Sequence, residues 1–280
     1  MSAKKNRGPC ITAKDSMSDH SREVVPTSCL VPVPWETRNL ERASYALTPF
    51  FIEQPNEKML LEELTSARQQ GAFFVQGRFP QNEIGLMQLL QRHGFYWVES
   101  TLCPFSNLNK NTLLQAFRAD AFQFLPRSCN PQELSVFRVP KTDAPLKEAV
   151  QNLAYATFSN DRFHHDPHCS EHVANQRFAF WISDLWEDSD VIFHVLTQKE
   201  VPIGFVVSKG SDLIMGGFAH GAGRGLANYL FLAALDDLSR SGITYVQTLV
   251  STHNIASLNM HARLGFLFRA PAMTMHFWSD

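Results

Sequence analysis

Three glycines lie within the six residues His220–Gly225. The apolar run Leu213–Met215 precedes them, and apolar residues at helical spacing follow from Leu226 to about Leu238. This order predicts that the glycines connect a strand to a helix. At such a junction the first N–H groups of the helix have no backbone partners, and glycine lets an anion approach them closely. The stretch therefore predicts a binding site for a phosphate or a pyrophosphate.

Two common phosphate-binding motifs do not match this stretch. The dinucleotide fingerprint requires Gly-x-Gly-x-x-Gly, but Leu226 stands where its third glycine belongs. A Walker loop requires Gly-Lys-Ser/Thr, which the chain lacks. The alternative that the glycines form only a tight turn stays open at this point.

The residues that follow carry further signals. Ile243–Val250 is a β-branched and aromatic run, which predicts a strand. Asn254 then begins a short helical segment that ends at Gly265. Asparagine favours a helix N-cap, and glycine favours the left-handed conformation just past a helix. Met273–Trp278 predicts a last strand.

The segment from His220 to Trp278 resembles the GCN5-related N-acetyltransferases. Gly223 and Gly225 occupy the glycine positions of their coenzyme A loop, Gln/Arg-x-x-Gly-x-Gly/Ala, with His220 in the place of Gln or Arg. Asn254–Phe266 is similar to their signature Asn-x-x-Ala/Ser-x-x-x-Tyr-x-x-x-Gly-Phe. The resemblance implies an α/β (α+β) fold with a mixed central sheet flanked by helices, and acetyl-CoA as the co-substrate. The coenzyme A contacts that it implies are Phe218, Ala219, His220, Gly221, Ala222, Gly223, Arg224, Gly225 and Asn254.

Acetyl transfer to an amine requires polarisation of the thioester carbonyl, loss of a proton from the amine and protonation of the departing sulfur. In this family a backbone N–H of the strand before the glycine loop polarises the carbonyl. In that strand Gly216 and Gly217 either permit a splay from its neighbour or mark an ordinary strand end. His261 replaces the family's tyrosine and is the predicted acid, because an imidazole can donate a hydrogen bond and an imidazolium can give a proton. The alternative is a histidine that only packs its helix. His253 is the candidate base, and a chain of water molecules is the alternative.

A second group of segments resembles the TDP-fucosamine acetyltransferases, which act on nucleotide-linked amino sugars. The matching residues are Arg162, Phe163, Asp166 and Pro167, then Phe180-Trp181-Ile182, and more loosely Trp35-Glu36-Thr37. The resemblance implies an acceptor site that includes Arg162, Phe163, His165 and Trp181, and an amino-sugar nucleotide as the small-molecule acceptor. The alternatives are a protein N-terminus or another small amine, or a non-catalytic acyl-CoA-binding protein.

A metal site is the other interpretation of this region. His164, His165, Asp166, His168, Cys169 and His172 lie close together in sequence, and His168 and His172 have the spacing of one helix face. The family segment explains the same residues without a metal, and Asp166 before Pro167 fits a helix N-cap. We therefore predict no metal.

The 280 residues suffice for two domains. We predict a disordered tail over 1–25, a degenerate acetyltransferase-like domain over 26–130, a linker over 131–143 and the catalytic domain over 144–280. The degenerate copy is suggested by a repeat, in which helices beginning at Asn82 and Asn254 both end in Gly-Phe before a strand. The alternative is that this is common punctuation between elements.

Composition limits the partners and the compartment. A net charge of −2 gives no electrostatic case for nucleic acid, and no apolar run is long enough to cross a bilayer. The N-terminus lacks a secretory apolar segment, and five scattered cysteines without a CxxC pair indicate reduced thiols. We predict a cytoplasmic enzyme; the sequence leaves a homodimer open.

Overall fold

Most helices of the described residues begin at a side-chain cap. The computed structural model describes residues 28–222 and 225–279, so the predicted tail lies outside the described residues. The helices there are α1 (Pro34–Leu40), α2 (Pro49–Glu53), α3 (Glu57–Gln69), α4 (Ile84–Arg92), α5 (Thr112–Ala119), α6 (Ala144–Thr157), α7 (Glu171–Glu187), α8 (Leu226–Arg240) and α9 (Ile255–Arg263). None of these described helices is long and apolar enough to span a bilayer.

The strands of the described residues form one mixed sheet. They are β1 (Leu30–Pro32), β2 (Ala43–Leu47), β3 (Phe73–Pro80), β4 (Tyr96–Asn107), β5 (Leu134–Arg138), β6 (Val191–Gln198), β7 (Val201–Lys209), β8 (Asp212–Phe218), β9 (Tyr245–Gln247), β10 (Val250–Ser251) and β11 (Leu267–Ser279). Their order is β1-β2-β3-β11-β4-β9-β8-β7-β6-β5, and β10 also pairs with β4. The prediction of a mixed sheet flanked by helices is confirmed.

The last strand of the chain pairs with strands of the N-terminal half. β11 lies between β3 and β4 and is antiparallel to both. β4 in turn pairs with β9 and β10. The sheet is therefore continuous across the predicted linker, in which residues 134–138 form β5. The domain limits stay a prediction.

Apolar residues cover both faces of this sheet. Side chains of α3 and α4 pack on β3 and β11 around Phe73 and Phe277. Side chains of α8 pack around Leu235 and Val246. Those of α6 and α7 pack around Phe193 and Phe205. Helices thus hold the strands from two sides and fix the position of β8.

The two segments of the sequence repeat end alike. Gly94 and Gly265 have φ values of +86° and +76°, and each ends its helix as predicted. Phe95 N donates to Leu90 O at 3.1 Å and Phe266 N to His261 O at 3.0 Å, the same capping bond. The starts differ, because α4 begins one residue later than expected, after Glu83, and has no side-chain cap.

The predicted strand Ile243–Val250 is interrupted. Its two parts, β9 and β10, share one antiparallel register with β4. Thr248, in the gap between them, donates to Pro104 O at 3.0 Å. Because proline has no N–H to return, the ladder is incomplete there. The register resumes beyond the gap, where Thr252 donates to Ser100 O at 2.8 Å.

The cysteines differ from expectation at one position. Cys29, Cys129 and Cys169 carry free thiols. Cys103 is disulfide-bonded. The prediction of reduced thiols is therefore wrong for Cys103, and the cytoplasmic location stays a prediction.

Candidate functional site

A cleft opens between β8 and β9. The two strands run parallel, and the only pair that joins them in the described residues is Asp212–Gln247. Side chains also connect the strands where this pair lies. Gln247 Nε2 donates to Asp212 Oδ1 at 2.9 Å, and Arg269 donates to Gln247 Oε1 at 2.8 Å. From Leu213 onward β8 therefore presents one backbone edge to the cleft.

The strand register shows which N–H groups point into the cleft. Ala219 N donates to Ile203 O on β7 at 2.8 Å. Backbone groups alternate in direction along an antiparallel strand, so Gly217 also faces β7 whereas Gly216 and Phe218 face the cleft. The carbonyl of Phe218 accepts a hydrogen bond from Thr157 Oγ1 at 2.9 Å. The N–H groups of Gly216 and Phe218 are thus placed to polarise a carbonyl.

Two helices explain the glycines of β8. A Cβ on Gly216 would lie 2.8 Å from Phe231 Cζ of α8. A Cβ on Gly217 would lie 3.0 Å from Thr157 Cγ2 of α6. A side chain at either position would force these neighbouring side chains to shift. The glycines therefore permit close packing of α8 and α6 on the strand. The separation of β8 from β9 is a different feature, which lies where the two strands form no pairs.

The glycine loop ends at the start of α8. Gly225 is its N-cap, with φ +87° and no side-chain cap, so the first N–H groups of α8 are left for a ligand or water. A Cβ on Gly225 would lie 2.5 Å from Pro126 Cγ, whereas one on Gly221 would meet no atom within 4 Å. The predicted contacts Gly223 and Arg224 lie outside the described residues.

The remaining predicted coenzyme contacts differ in their hydrogen bonds and in their exposure. Ala222 N donates to Ala219 O at 3.0 Å, which fixes the turn after β8. His220 is exposed at this turn. Asn254 caps α9 by accepting from Ser257 N at 3.0 Å, as predicted from its position in the sequence. Its contact with coenzyme A stays a prediction.

His261 is buried between aromatic rings. Its side chain is only 3% exposed and its ring lies 5.6 Å from that of Phe231 and 5.0 Å from that of Phe266. Nδ1 lies 2.8 Å from Ser257 O, and Nε2 is buried without a hydrogen-bond partner. Burial lowers the pKa of His261 to about 4. Its catalytic role stays a prediction, and at neutral pH the group available is the neutral imidazole.

His253 and His165 lie together although 88 residues separate them in the sequence. Their ring centroids are 4.2 Å apart, and the ring of Trp97 lies 5.6 Å from His253. Burial, and then the neighbouring His253, lower the pKa of His165. Nδ1 of His253 is buried without a partner. The predicted base and one predicted acceptor residue thus share a site.

Arg162 belongs to a buried ionic cluster. It donates to Glu36 Oε1 at 3.3 Å, while Arg177 holds the same carboxylate with Nε at 2.8 Å and Nη2 at 2.5 Å. Burial lowers the pKa of Arg162 to about 10, so its charge persists at neutral pH. Its Nε is buried and without a partner. Arg162 therefore has a donor to spare for a ligand.

Phe163 and Trp181 occupy different surroundings. Phe163 is fully buried, with the guanidinium of Arg177 3.6 Å from its ring centre. Trp181 is 37% exposed on α7 and packs on Phe178. Within the described residues no ring or polar contact joins Trp181 to Arg162 or His165. The acceptor roles of Phe163 and Trp181 stay predictions.

Asp166 of the histidine-rich segment is held by hydrogen bonds within the protein. Asp166 accepts from Tyr96 Oη at 2.6 Å, His276 Nδ1 at 2.6 Å and Trp278 Nε1 at 2.8 Å. The expected helix cap at Asp166 is wrong, because α7 begins at Glu171 and Ser170 caps it. Among the described residues no group of three or more ligating side chains is arranged for a metal ion.

Sequence reasoning missed part of the site on β4. Glu99 is 3% exposed, and its Oε2 accepts from Arg78 at 3.0 Å. Thr101, two residues on and on the same face, has its hydroxyl buried without a partner. A charged residue inside the apolar strand pattern was the available signal for Glu99.

Two shallow depressions of the described surface lie elsewhere. One, of about 420 Å³, includes Gln132 and Lys199. The other, of about 490 Å³, includes Lys141 and Trp186. Neither contains a predicted site residue, so neither is assigned a role.

Comparison with known proteins bears on the fold. No family model and no curated protein matches the sequence. An acetyltransferase structure from Sphaerobacter thermophilus matches with a TM-score of 0.55 and 13% identity, over 89% of this chain and 76% of that one. A tandem acetyltransferase from the clavulanic acid pathway matches with 0.55 and 12%, over 85% and 76%. A conserved protein of unknown function from Staphylococcus epidermidis matches with 0.58 and 14%, over 95% and 97%.

These identities are too low to carry an activity from one protein to another, but the likeness extends over most of each chain. It agrees with the splayed strands and the glycine loop described above. The chain has the fold of the GCN5-related N-acetyltransferases.

Proposed function

We propose that the protein is an N-acetyltransferase that moves an acetyl group from acetyl-CoA to the amine of a small acceptor. The observation that carries the proposal is the cleft beside β8. Two N–H groups, of Gly216 and Phe218, face it, and the uncapped start of α8 lies at the end of the same strand. A group that can polarise the thioester and a site for the pyrophosphate would therefore lie along one bound acetyl-CoA molecule.

The residues present fit acetyl-CoA. The start of α8 and the turn from Ala219 would hold the pyrophosphate, and the cleft edge of β8 would hold the pantetheine arm. When bound, acetyl-CoA supplies an activated thioester. The N–H of Gly216 or Phe218 would stabilise the negative charge that develops on its carbonyl oxygen. His261, in the tautomer with its proton on Nε2, would donate a hydrogen bond to the departing sulfur.

The acceptor that we propose is a nucleotide-linked amino sugar. Two segments that resemble the sugar-nucleotide enzymes contact each other, because Arg162 donates to Glu36 Oε1 at 3.3 Å. The spare donor of Arg162 suits an anionic group such as a diphosphate. The other candidates are a protein N-terminus and a different small amine.

Thiol release from acetyl-CoA should be fastest with a nucleotide-linked amino sugar. The panel is dTDP-4-amino-4,6-dideoxygalactose, the free amino sugar and a peptide with a free N-terminus. Faster release with the peptide would favour the protein acceptor. Acetyl-CoA binding without release for any amine would indicate a non-catalytic acyl-CoA-binding protein.

Replacing Gly221 with aspartate should weaken acetyl-CoA binding about tenfold relative to Gly221→Asn. Both residues tolerate the left-handed backbone at this open position, where φ is +79°. The two variants differ in charge alone, and a negative charge near α8 repels a pyrophosphate. Isothermal titration measures both affinities. Equal affinities would show that coenzyme A does not pass this turn.

A further inference from the structure

We infer that the N-terminal half supplies the site for the acceptor's ammonium group, in which the Glu99 carboxylate beside His253 binds the amine to be acetylated. The inference rests on the proposed function and names the residue that selects an amine. It assigns a direct part in catalysis to β4, a strand outside the predicted catalytic domain.

The pairing of β4 with β10 brings Glu99 and His253 into one region of the protein. Thr101 pairs with Ser251, and Thr252 donates to Ser100 O at 2.8 Å. β10 ends at Ser251, and Asn254 N donates to Ser251 O at 3.0 Å, so His253 lies in a turn at the end of the strand. Its ring lies 5.6 Å from that of Trp97, which precedes Glu99 by two residues on β4. His165 lies beside both residues, because its ring is 4.2 Å from that of His253 and the charge of Glu99 acts on its pKa.

The polar atoms of this region are not all satisfied. Arg78 engages Oε2 of Glu99, and within the described residues no hydrogen-bond donor engages Oε1. His253 Nδ1 and the Thr101 hydroxyl are buried without partners. A buried polar atom without a partner is costly, and these two atoms near Glu99 indicate a polar ligand. Glu99 makes that ligand a cation or a strong donor.

Aromatic rings form the mouth of the site. Trp97 is 46% exposed, and its ring lies 5.6 Å from that of His253. His165 is exposed, and its ring lies 4.2 Å from that of His253. An ammonium group is attracted both to the face of an indole and to a carboxylate beneath it. The exposed mouth therefore gives an amine a path to the buried carboxylate.

The site also accounts for the protons of the reaction. The bound ammonium loses one proton to His253, which passes it to solvent. The freed lone pair attacks the thioester carbon, so the C–N bond forms as the C–S bond breaks. The second proton leaves the nitrogen and goes to the departing sulfur. In this sequence of steps Glu99 holds the nitrogen in place, and His253 takes the first proton.

The test compares amines with their hydroxyl analogues in binding, independently of turnover. One arm uses dTDP-4-amino-4,6-dideoxygalactose against dTDP-6-deoxygalactose, and the other uses glutamate against 2-hydroxyglutarate. Wild-type protein should bind the amine about tenfold more tightly in at least one arm. Glu99→Gln should lose that preference while its affinities for the hydroxyl analogue and for acetyl-CoA stay within twofold. The control Glu62→Gln, on the exposed face of α3, should change nothing.

Each outcome decides the matter. An unchanged preference for the amine in Glu99→Gln, or no preference in either arm of the wild type, overturns the site. Equal weakening of amine and hydroxyl analogues shows a structural role only, which also overturns it. An amine preference without thiol release refutes the proposed function and leaves the binding site standing. If Glu99→Gln does not fold, Glu99→Asp, which withdraws the charge by one methylene, should reduce the preference.

Discussion

Replacing Glu36 with glutamine should lower the free energy of unfolding by about 3 kcal/mol. Glu36 is fully buried, and its carboxylate is the shared partner of two guanidinium groups, those of Arg162 and Arg177. Glutamine preserves the volume but removes the negative charge. Two positive charges then stay buried beside a neutral amide, and such an uncompensated pair is far more costly than loss of an exposed salt bridge.

Urea denaturation at pH 7 measures this change. The control is Glu41→Gln, at the exposed end of the same helix α1, which should shift the unfolding free energy by less than about 0.5 kcal/mol. Because Glu36 lies on α1 and Arg177 on α7, the variant should also loosen the contact between the two halves. A loss below about 1 kcal/mol for Glu36→Gln would show that water reaches the guanidinium groups.

Local signals in the sequence were sufficient for the C-terminal elements. Asn254 caps α9, and Gly265 ends it with φ +76°. Gly225 takes the left-handed conformation at the start of α8. Each of these depends on contacts within a few residues of chain, which is the range over which capping and backbone preferences act. The strand and helix that flank the glycine loop could therefore be predicted.

The partners across the sheet could not be predicted in the same way. Asp166 before Pro167 favoured a helix cap, yet its carboxylate accepts from His276, which is 110 residues away. The place of β11 between β3 and β4 likewise depends on pairing between distant segments. No local pattern encodes such contacts. The same holds for Glu99, whose proximity to the predicted base depends on the fold and not on a motif.

Replacing His261 with phenylalanine should lower kcat about 100-fold and leave acetyl-CoA binding nearly intact. The phenylalanine ring can keep the packing against Phe231 and Phe266, so the main loss is that of two nitrogen atoms. The carbonyl of Ser257 accepts from Nδ1 at 2.8 Å, which favours the neutral tautomer with its proton on Nδ1. Donation to the departing sulfur requires the other tautomer, with the proton on Nε2, the nitrogen without a partner. The Ser257 hydroxyl, 3.3 Å from Nδ1, can donate to Nδ1 when that tautomer forms.

Burial determines how this contribution varies with pH. Since the pKa of His261 is lowered from 6.5 to about 4, the imidazole is neutral from pH 5.5 to 8 and its effect on kcat should be constant there. The stability of the wild type should fall as the pH drops from 6.5 towards 4, because the unfolded chain takes up a proton that the folded state resists. His261→Phe should lack that part of the loss. His261→Tyr should recover part of kcat, since a phenol can also donate to sulfur. Steady-state rates at saturating acetyl-CoA across this pH range decide the role: a kcat for His261→Phe within threefold of wild type would show that the histidine only packs α9.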